Sequence, residues 1–188
     1  MPALRWAAVG DAAYGVSLLN DGRYGHDALG SRLRLTLVRS AADPDPISDV
    51  GQHRVRYSLV PHPGDWREND IPRTSAGFNQ PLIARHGRQR AAPRRSSRRP
   101  VVTGSPGVML TTLKDLHEGR GLVLRLTESF GRKGEAVVSG LPAGWRAERA
   151  AITEEPLARL PVRGGRFRIR MRPWEVATIV LAPGWGRA

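Results

Sequence analysis

Two short stretches of this 188-residue chain carry the side chains best suited to chemistry. The first, Asn20-Asp21-Gly22-Arg23-Tyr24-Gly25-His26-Asp27, gathers an amide, carboxylates, a guanidinium and a phenol on a glycine-flexed turn. Such a set donates and accepts hydrogen bonds in several directions, which suits the hydroxyls of a sugar. The second, Pro61-His62-Pro63-Gly64-Asp65-Trp66-Arg67, adds an imidazole, a carboxylate and an indole whose face could stack on a sugar ring. Asn20, Asp21, Arg23 and Tyr24 in the first stretch, with His62, Asp65 and Trp66 in the second, are therefore candidate substrate-binding residues. The alternative is that both stretches are structural turns whose polar side chains bond their own backbone.

Other chemistries find little support. The histidines, His26, His53, His62, His86 and His117, are too scattered for a local metal motif. No His-Glu-x-x-His pattern, phosphate-cradling glycine loop or nucleophile elbow occurs. Cysteine is absent, which removes disulfides, thiol nucleophiles and cysteine-based zinc sites together. Asp43, Asp45 and Asp49 form an acidic loop, but Pro44 and Pro46 break it and it lacks the ligand order of a calcium loop. Glu154 and Glu155 are adjacent, so on a strand they would face opposite ways, a poor geometry for two carboxylates flanking one bond. From the residues alone, the chain carries no assigned catalytic group, no metal ligand and no cofactor.

The elements that must position the two stretches read as strands. Leu33, Leu35 and Leu37 alternate with Arg32, Arg34 and Thr36, and Val55, Tyr57 and Leu59 with Arg54, Arg56 and Ser58. Leu122, Leu124 and Leu126 repeat the device, as do Phe167, Ile169 and Met171 between arginines. Period two of this kind marks strands with one wet face, expected here to bury their apolar row. Val176 to Leu181 is nearly continuously apolar, as a central strand would be, and Gly15 to Leu19 is a further candidate. Helical periodicity is hard to find. The fold expected is all-β: an antiparallel β-sandwich, with a partial large sandwich followed by a small C-terminal one.

Charge divides the chain. Thirty basic against 17 acidic residues give +13, and more than half of that comes from Arg85, Arg88, Arg90, Arg94, Arg95, Arg98 and Arg99. With Pro93, Ser96, Ser97 and Pro100 among them, these read as a linker over 85–105. It separates an N-terminal unit, 1–84, from a C-terminal sandwich, 106–183, followed by a tail, 184–188. No aromatic residues interleave the arginines to stack bases, so nucleic acid is not the expected partner. No run approaches the roughly 20 apolar residues of a membrane helix and the first ten residues lack signal-peptide features, so a cytoplasmic protein with no membrane partner is expected. Two small β units with so few strands in the first imply a piece of something larger.

A family resemblance sharpens this. Gly15-Val16-Ser17-Leu18-Leu19-Asn20-Asp21-Gly22-Arg23-Tyr24-Gly25-His26-Asp27 resembles the "GVALLNDxKYGYD" segment of α-mannosidases of glycoside hydrolase family 38. His53 to Trp66 resembles that family's "HxFxYxLxPHxGDW" stretch, and Phe78-Asn79-Gln80-Pro81-Leu82 its "NQPL" close. Val108 to Lys114 is similar to the opening of its last domain, and Arg172-Pro173-Trp174-Glu175-Val176-Ala177-Thr178 to the closing "RPFEIxT". The likeness runs in order along nearly the whole chain. It is confined to the family's C-terminal β region, because nothing here resembles the α/β barrel that carries the nucleophile and the zinc or other divalent cation. The resemblance implies a portion inactive alone. Its partner would be the catalytic barrel, in the same or a separate chain, and α-mannoside would bind only through the full enzyme. It also implies that Arg23 meets a ring hydroxyl or a barrel carboxylate, with Asp21 orienting it. A free-standing carbohydrate-binding sandwich using Trp66, Trp145 or Trp174 is the alternative, and a basic nucleic-acid binder a more distant one.

Overall fold

A computed structural model describes residues 2–84, 86 and 100–184. The arginine run of the expected linker and residues 185–188 of the expected tail lie outside the described residues. The chain divides into two compact units, residues 1–86 and 87–188.

The first unit contains β1 (Trp6–Gly10), β2 (Tyr14–Asn20), β3 (His26–Leu29), β4 (Arg32–Leu35), β5 (Tyr57–Pro63) and α1 (Ile71–Asn79). β2 is the middle strand of an antiparallel sheet ordered β1-β2-β5. Its register sets Ser17 opposite Ala8 and Val60, and Leu19 opposite Trp6 and Ser58, all on one face. That face receives α1, which begins where the Trp66 carbonyl accepts the Ile71 N–H at 3.2 Å and ends beside Asn20. Pro72 fits the first helical turn, where its missing N–H costs nothing. Ile71 is completely buried and Ser75 nearly so. The helix is an addition to the all-β expectation, because nine residues with two apolar anchors give too short a period-3.6 pattern to register.

The opposite face of this sheet is less covered. β3 and β4 form a separate hairpin closed at Gly30-Ser31, with Gly30 at φ 57° where a β-carbon would be strained. Its turn meets Val9, Tyr14 and Val16 across an open trough of about 380 Å³. Two expected strands come out shorter than their alternation: Leu37 lies beyond β4, and Val55 precedes β5. In β5 the expected orientation is reversed. Ser58, Val60 and His62 face the helix side, while Tyr57 and Leu59 stay 55% and 62% exposed.

The second unit contains β6 (Val101–Gly104), β7 (Val108–Asp115), β8 (Leu122–Glu128), β9 (Gly134–Ser139), β10 (Trp145–Ala150), β11 (Pro156–Leu160), β12 (Arg166–Met171) and β13 (Val176–Pro183). They make a five-stranded sheet ordered β11-β10-β13-β8-β7 and a three-stranded sheet ordered β12-β9-β6. β6 pairs with β9, so the last residues of the 85–105 segment belong to this sandwich and not to a linker. Leu124, Leu126, Ile179 and Leu181 from the larger sheet pack with Val138, Phe167, Ile169 and Met171 from the smaller in one core. Each such side chain contributes about 1.5–3 kcal/mol by leaving water. β13, central in its sheet, is buried on both faces, which is why its sequence does not alternate.

One buried charge fastens the edge of this sandwich. Glu128, at the end of β8, is 2% exposed. Its Oε1 accepts the Phe130 N–H at 2.9 Å, and its Oε2 accepts those of Gly131, Arg132 and Trp174 at 2.9, 3.2 and 2.9 Å. The carboxylate thereby joins the turn after β8 to the turn before β13.

Candidate functional site

The first candidate stretch leaves β2 at Asn20, whose side chain is fully buried. Its Oδ1 accepts the Arg23 N–H at 3.1 Å and its Nδ2 donates to the Ala3 carbonyl at 3.5 Å, tying the turn to the segment before β1. The end of α1 reaches the same point: Asn79 Nδ2 donates to the Asn20 carbonyl at 3.0 Å and to that of Ser75 at 2.9 Å. Asp21 leaves the strand beside Arg56, with 3.3 Å between Oδ2 and Nη1. Arg56 also donates to the Phe78 carbonyl at 3.3 Å and lies 5.1 Å from the Phe78 ring centre. Both partners of the Asp21–Arg56 pair are about half exposed, so it orients the loop more than it stabilises the fold.

Held this way, the loop presents two side chains. The Arg23 guanidinium makes no hydrogen bond or ion pair among the described residues, and the Tyr24 ring is 54% exposed. Only the Tyr24 backbone is engaged, its carbonyl accepting the Ala3 N–H at 2.9 Å and His26 Nδ1–H at 3.3 Å. A fixed backbone carrying an uncommitted guanidinium and phenol can donate hydrogen bonds to hydroxyls or pair with a carboxylate.

The second stretch is turned inward. His62 is 5% exposed, and its Nδ1–H donates to the Gly64 carbonyl at 3.2 Å. That tautomer leaves Nε2 to accept the hydroxyl of fully buried Ser17 at 3.0 Å. Gly15 lies opposite His62 in register, and a β-carbon there would collide with the imidazole. Asp65 accepts the Arg67 N–H at 2.9 Å and holds the Arg67 guanidinium with 3.2 Å to each carboxylate oxygen. That guanidinium lies 4.0 Å from the Trp66 ring centre, and Trp6 meets the same ring at 4.9 Å and 52°. A cleft of about 220 Å³ remains between this corner and Ala8–Asp11.

The seven candidates thus fall into two groups. Gly15 marks the His62 end of β2 and Asn20 the other, five residues or about 17 Å along an extended strand. Asn20, Asp21, Arg23 and Tyr24 come together at one end; His62, Asp65 and Trp66 come together at the other. Arg56, Asn79, Ser17 and Trp6 complete these sites and were not among the candidates. Arg56 meets Asp21 because the β2–β5 register sets Asn20 opposite Tyr57, a register that loop composition does not carry. Trp145 lines a groove of about 520 Å³ with Pro142 and Val162, and Trp174 is 60% exposed over Gly131. Among the described residues no cluster of three or more His, Asp or Glu is placed to hold a metal ion, so none of these sites fits zinc. No described helix is long and apolar enough to cross a membrane.

Comparison with known proteins gives these loops a context. The profile described as "Glycosyl hydrolases family 38 C-terminal domain" matches residues 1–47, and that described as "Glycosyl hydrolases family 38 C-terminal beta sandwich domain" matches 107–179. The chain belongs to glycoside hydrolase family 38. It is 30% identical over 187 residues to alpha-mannosidase 2C1 of Homo sapiens, an alignment covering 95% of this chain and 18% of that protein. It is 23% identical over 185 residues to a putative mannosylglycerate hydrolase of Halalkalibacterium halodurans, covering 93% and 20% respectively. The fold matches an alpha-mannosidase from Enterococcus faecalis V583 with a TM-score of 0.68 at 18% identity, over 96% of this chain and 21% of that one. The sequence therefore spans about a fifth of these relatives' length, in the C-terminal β region of family 38.

Proposed function

We propose that this chain serves as the C-terminal β portion of an α-mannosidase, with residues 1–84 completing a larger sandwich and 106–183, extended by β6, forming its own. In this reading the chain is inactive alone. The nucleophile and the zinc or other divalent cation come from a catalytic barrel in the same or a separate chain, with the cytoplasm as the setting. The loop at the end of β2 supplies Arg23 and Tyr24 to the sugar cleft, with Asn20 and Asp21 as positioning residues. His62, Asp65 and Trp66 hold the opposite corner of the sheet, from which Trp66 borders the 220 Å³ cleft. The observation that carries the reading is the Asn20 anchor: a fully buried amide fixes a loop whose guanidinium has no partner among the described residues.

The test joins this chain to a family 38 catalytic portion and measures hydrolysis of an aryl α-mannoside. Loss of a charge-assisted hydrogen bond is worth about 1.5–3 kcal/mol, so Arg23→Ala should lower kcat/KM by about 10- to 100-fold. Unchanged kcat and KM would remove the loop from the cleft. Millimolar or tighter mannoside affinity of the chain alone, by calorimetry, would favour a free-standing carbohydrate-binding module instead.

A further inference from the structure

The outer face of the three-stranded sheet of the second unit carries an unusual row of charge. β12 reads Arg-Phe-Arg-Ile-Arg-Met, with Phe167, Ile169 and Met171 buried in the core and Arg166, Arg168 and Arg170 all exposed. A two-residue turn, Gly164-Gly165, adds Arg163, which pairs across it with Arg166 and so faces the same way. Neighbouring arginines along the strand stand about 6.8 Å apart, too far for one small anion to bridge. The register places Ser139, Val137 and Glu135 of β9 beside them, and Val101 and Thr103 of β6 beyond. Glu135 takes Arg168 at 2.7 Å. Arg163, Arg166 and Arg170 have no acidic partner among the described residues.

From this geometry we propose that the face binds a linear polysaccharide bearing a carboxylate on each sugar. With Arg168 held by Glu135, the uncommitted forks are Arg163 and Arg166 at one end of the row and Arg170 about 13.6 Å along the strand, a separation that a repeating anionic chain can span with bidentate carboxylates and a single small anion cannot. Partly buried Val137 and 56%-exposed Val101 lie beside the row, where the C–H faces of sugar rings can rest. The face has no aromatic side chain, which disfavours single-stranded nucleic acid, whose bases need stacking platforms. The site lies wholly within the second unit and does not rest on the mannosidase reading.

The test uses the full chain carrying R85S/R88S/R90S/R94S/R95S/R98S/R99S, so that the arginine run cannot supply the binding. Alginate oligosaccharides are titrated with and without R166S/R168S/R170S, all exposed positions, and folding is checked by circular dichroism. With the row intact, affinity should fall steeply with salt. Without it, affinity should drop at least about tenfold at low salt and the log–log salt slope should shrink by about 1.4, at roughly 0.7 for each of the two uncommitted arginines removed, Arg166 and Arg170. Three outcomes would overturn the proposal. These are no alginate binding with the row intact, equal binding with and without it, or tighter binding of oligo(dT) than of alginate, the last pointing to nucleic acid.

Discussion

The two units show one sequence device with two outcomes. In β12, arginines alternate with Phe167, Ile169 and Met171, and the apolar row is buried against Leu124, Leu126, Ile179 and Leu181 of the facing sheet. At the start of β5, Tyr57 and Leu59 alternate with Arg56 and Ser58, yet the two larger residues stay more than half exposed. The cover on that sheet, α1 and the Trp66 corner, lies on the other face. Alternation therefore specifies that a strand has two faces, while the neighbouring layer decides which becomes the interior. Unit two brings both of its layers. Unit one, with Ala7, Leu18, Leu19 and Ile71 as its buried hydrophobics among the described residues, brings a three-stranded sheet, a separate two-stranded hairpin and a short helix.

The largest effect expected from this difference is in cooperativity. Residues 100–184 produced alone should unfold in a single transition with coincident fluorescence and circular-dichroism midpoints. Residues 1–84 alone should show no sharp transition and should bind a hydrophobic dye at the Tyr57–Leu59 face. A cooperative melt of 1–84 at comparable denaturant would break the comparison and show that a single covered face suffices.

Much of this could be read from the residues, and the gaps have physical causes. Three strands of the second unit, β8, β12 and β13, were visible because their apolar residues meet partners within the same chain. The orientation of β5 was not, because Tyr57 and Leu59 lie on the face that the β3–β4 hairpin covers only in part, and the row of Ser58, Val60 and His62 faces the helix instead. α1 escaped because its apolar residues are few and its end is held by Asn79, a polar contact that periodicity does not register. The clustering of Asn20 to Tyr24 followed from chain adjacency. Its separation from His62 and Trp66 depended on the register that sets His62 opposite Gly15, about 17 Å along β2 from Asn20, and loop composition carries no register.

The comparison extends to the buried polar anchors, with the next-largest effect. Glu128 takes four backbone N–H groups in the second unit, whereas Asn79 makes two carbonyl contacts in the first. Glu128→Gln keeps the shape but turns an NH2 group toward donors and removes the charge they stabilise. It should cost about 2–4 kcal/mol in denaturant midpoint measurements on the full chain. Asn79→Ala should cost about 1 kcal/mol and loosen the Arg23 loop, read as faster amide exchange at Arg23, whose N–H the buried Asn20 holds. Equal losses from the two changes would mean that the anchors do equivalent work despite their different settings.

The smallest effect separates the units by acid. Burial alone would raise the Glu175 carboxyl, but the Arg172 N–H at 2.7 Å and the Arg149 guanidinium at 2.6 Å outweigh it and hold the group below its ordinary value of 4.5. Glu154 is likewise held low, first by Lys114 and then by the His117 N–H. In the first unit, Asp11 is held low by the N–H groups of Tyr14 and Ala13, but in full contact with water. A carboxyl depressed in the folded state stabilises it fully above the unfolded value and loses that contribution as pH falls through the folded one. Stability of the second unit should therefore be flat from neutrality to about pH 4.5 and decline below it, and Glu175→Gln should flatten part of that decline. The hairpin closed by Asp11 should loosen over its own acidic range without moving the second unit's midpoint, because that carboxylate is screened by solvent and belongs to the first unit. An identical acid profile in the wild-type chain and the Glu175→Gln variant would show that Arg149 and Arg172 hold Glu175 in place without lending it stability.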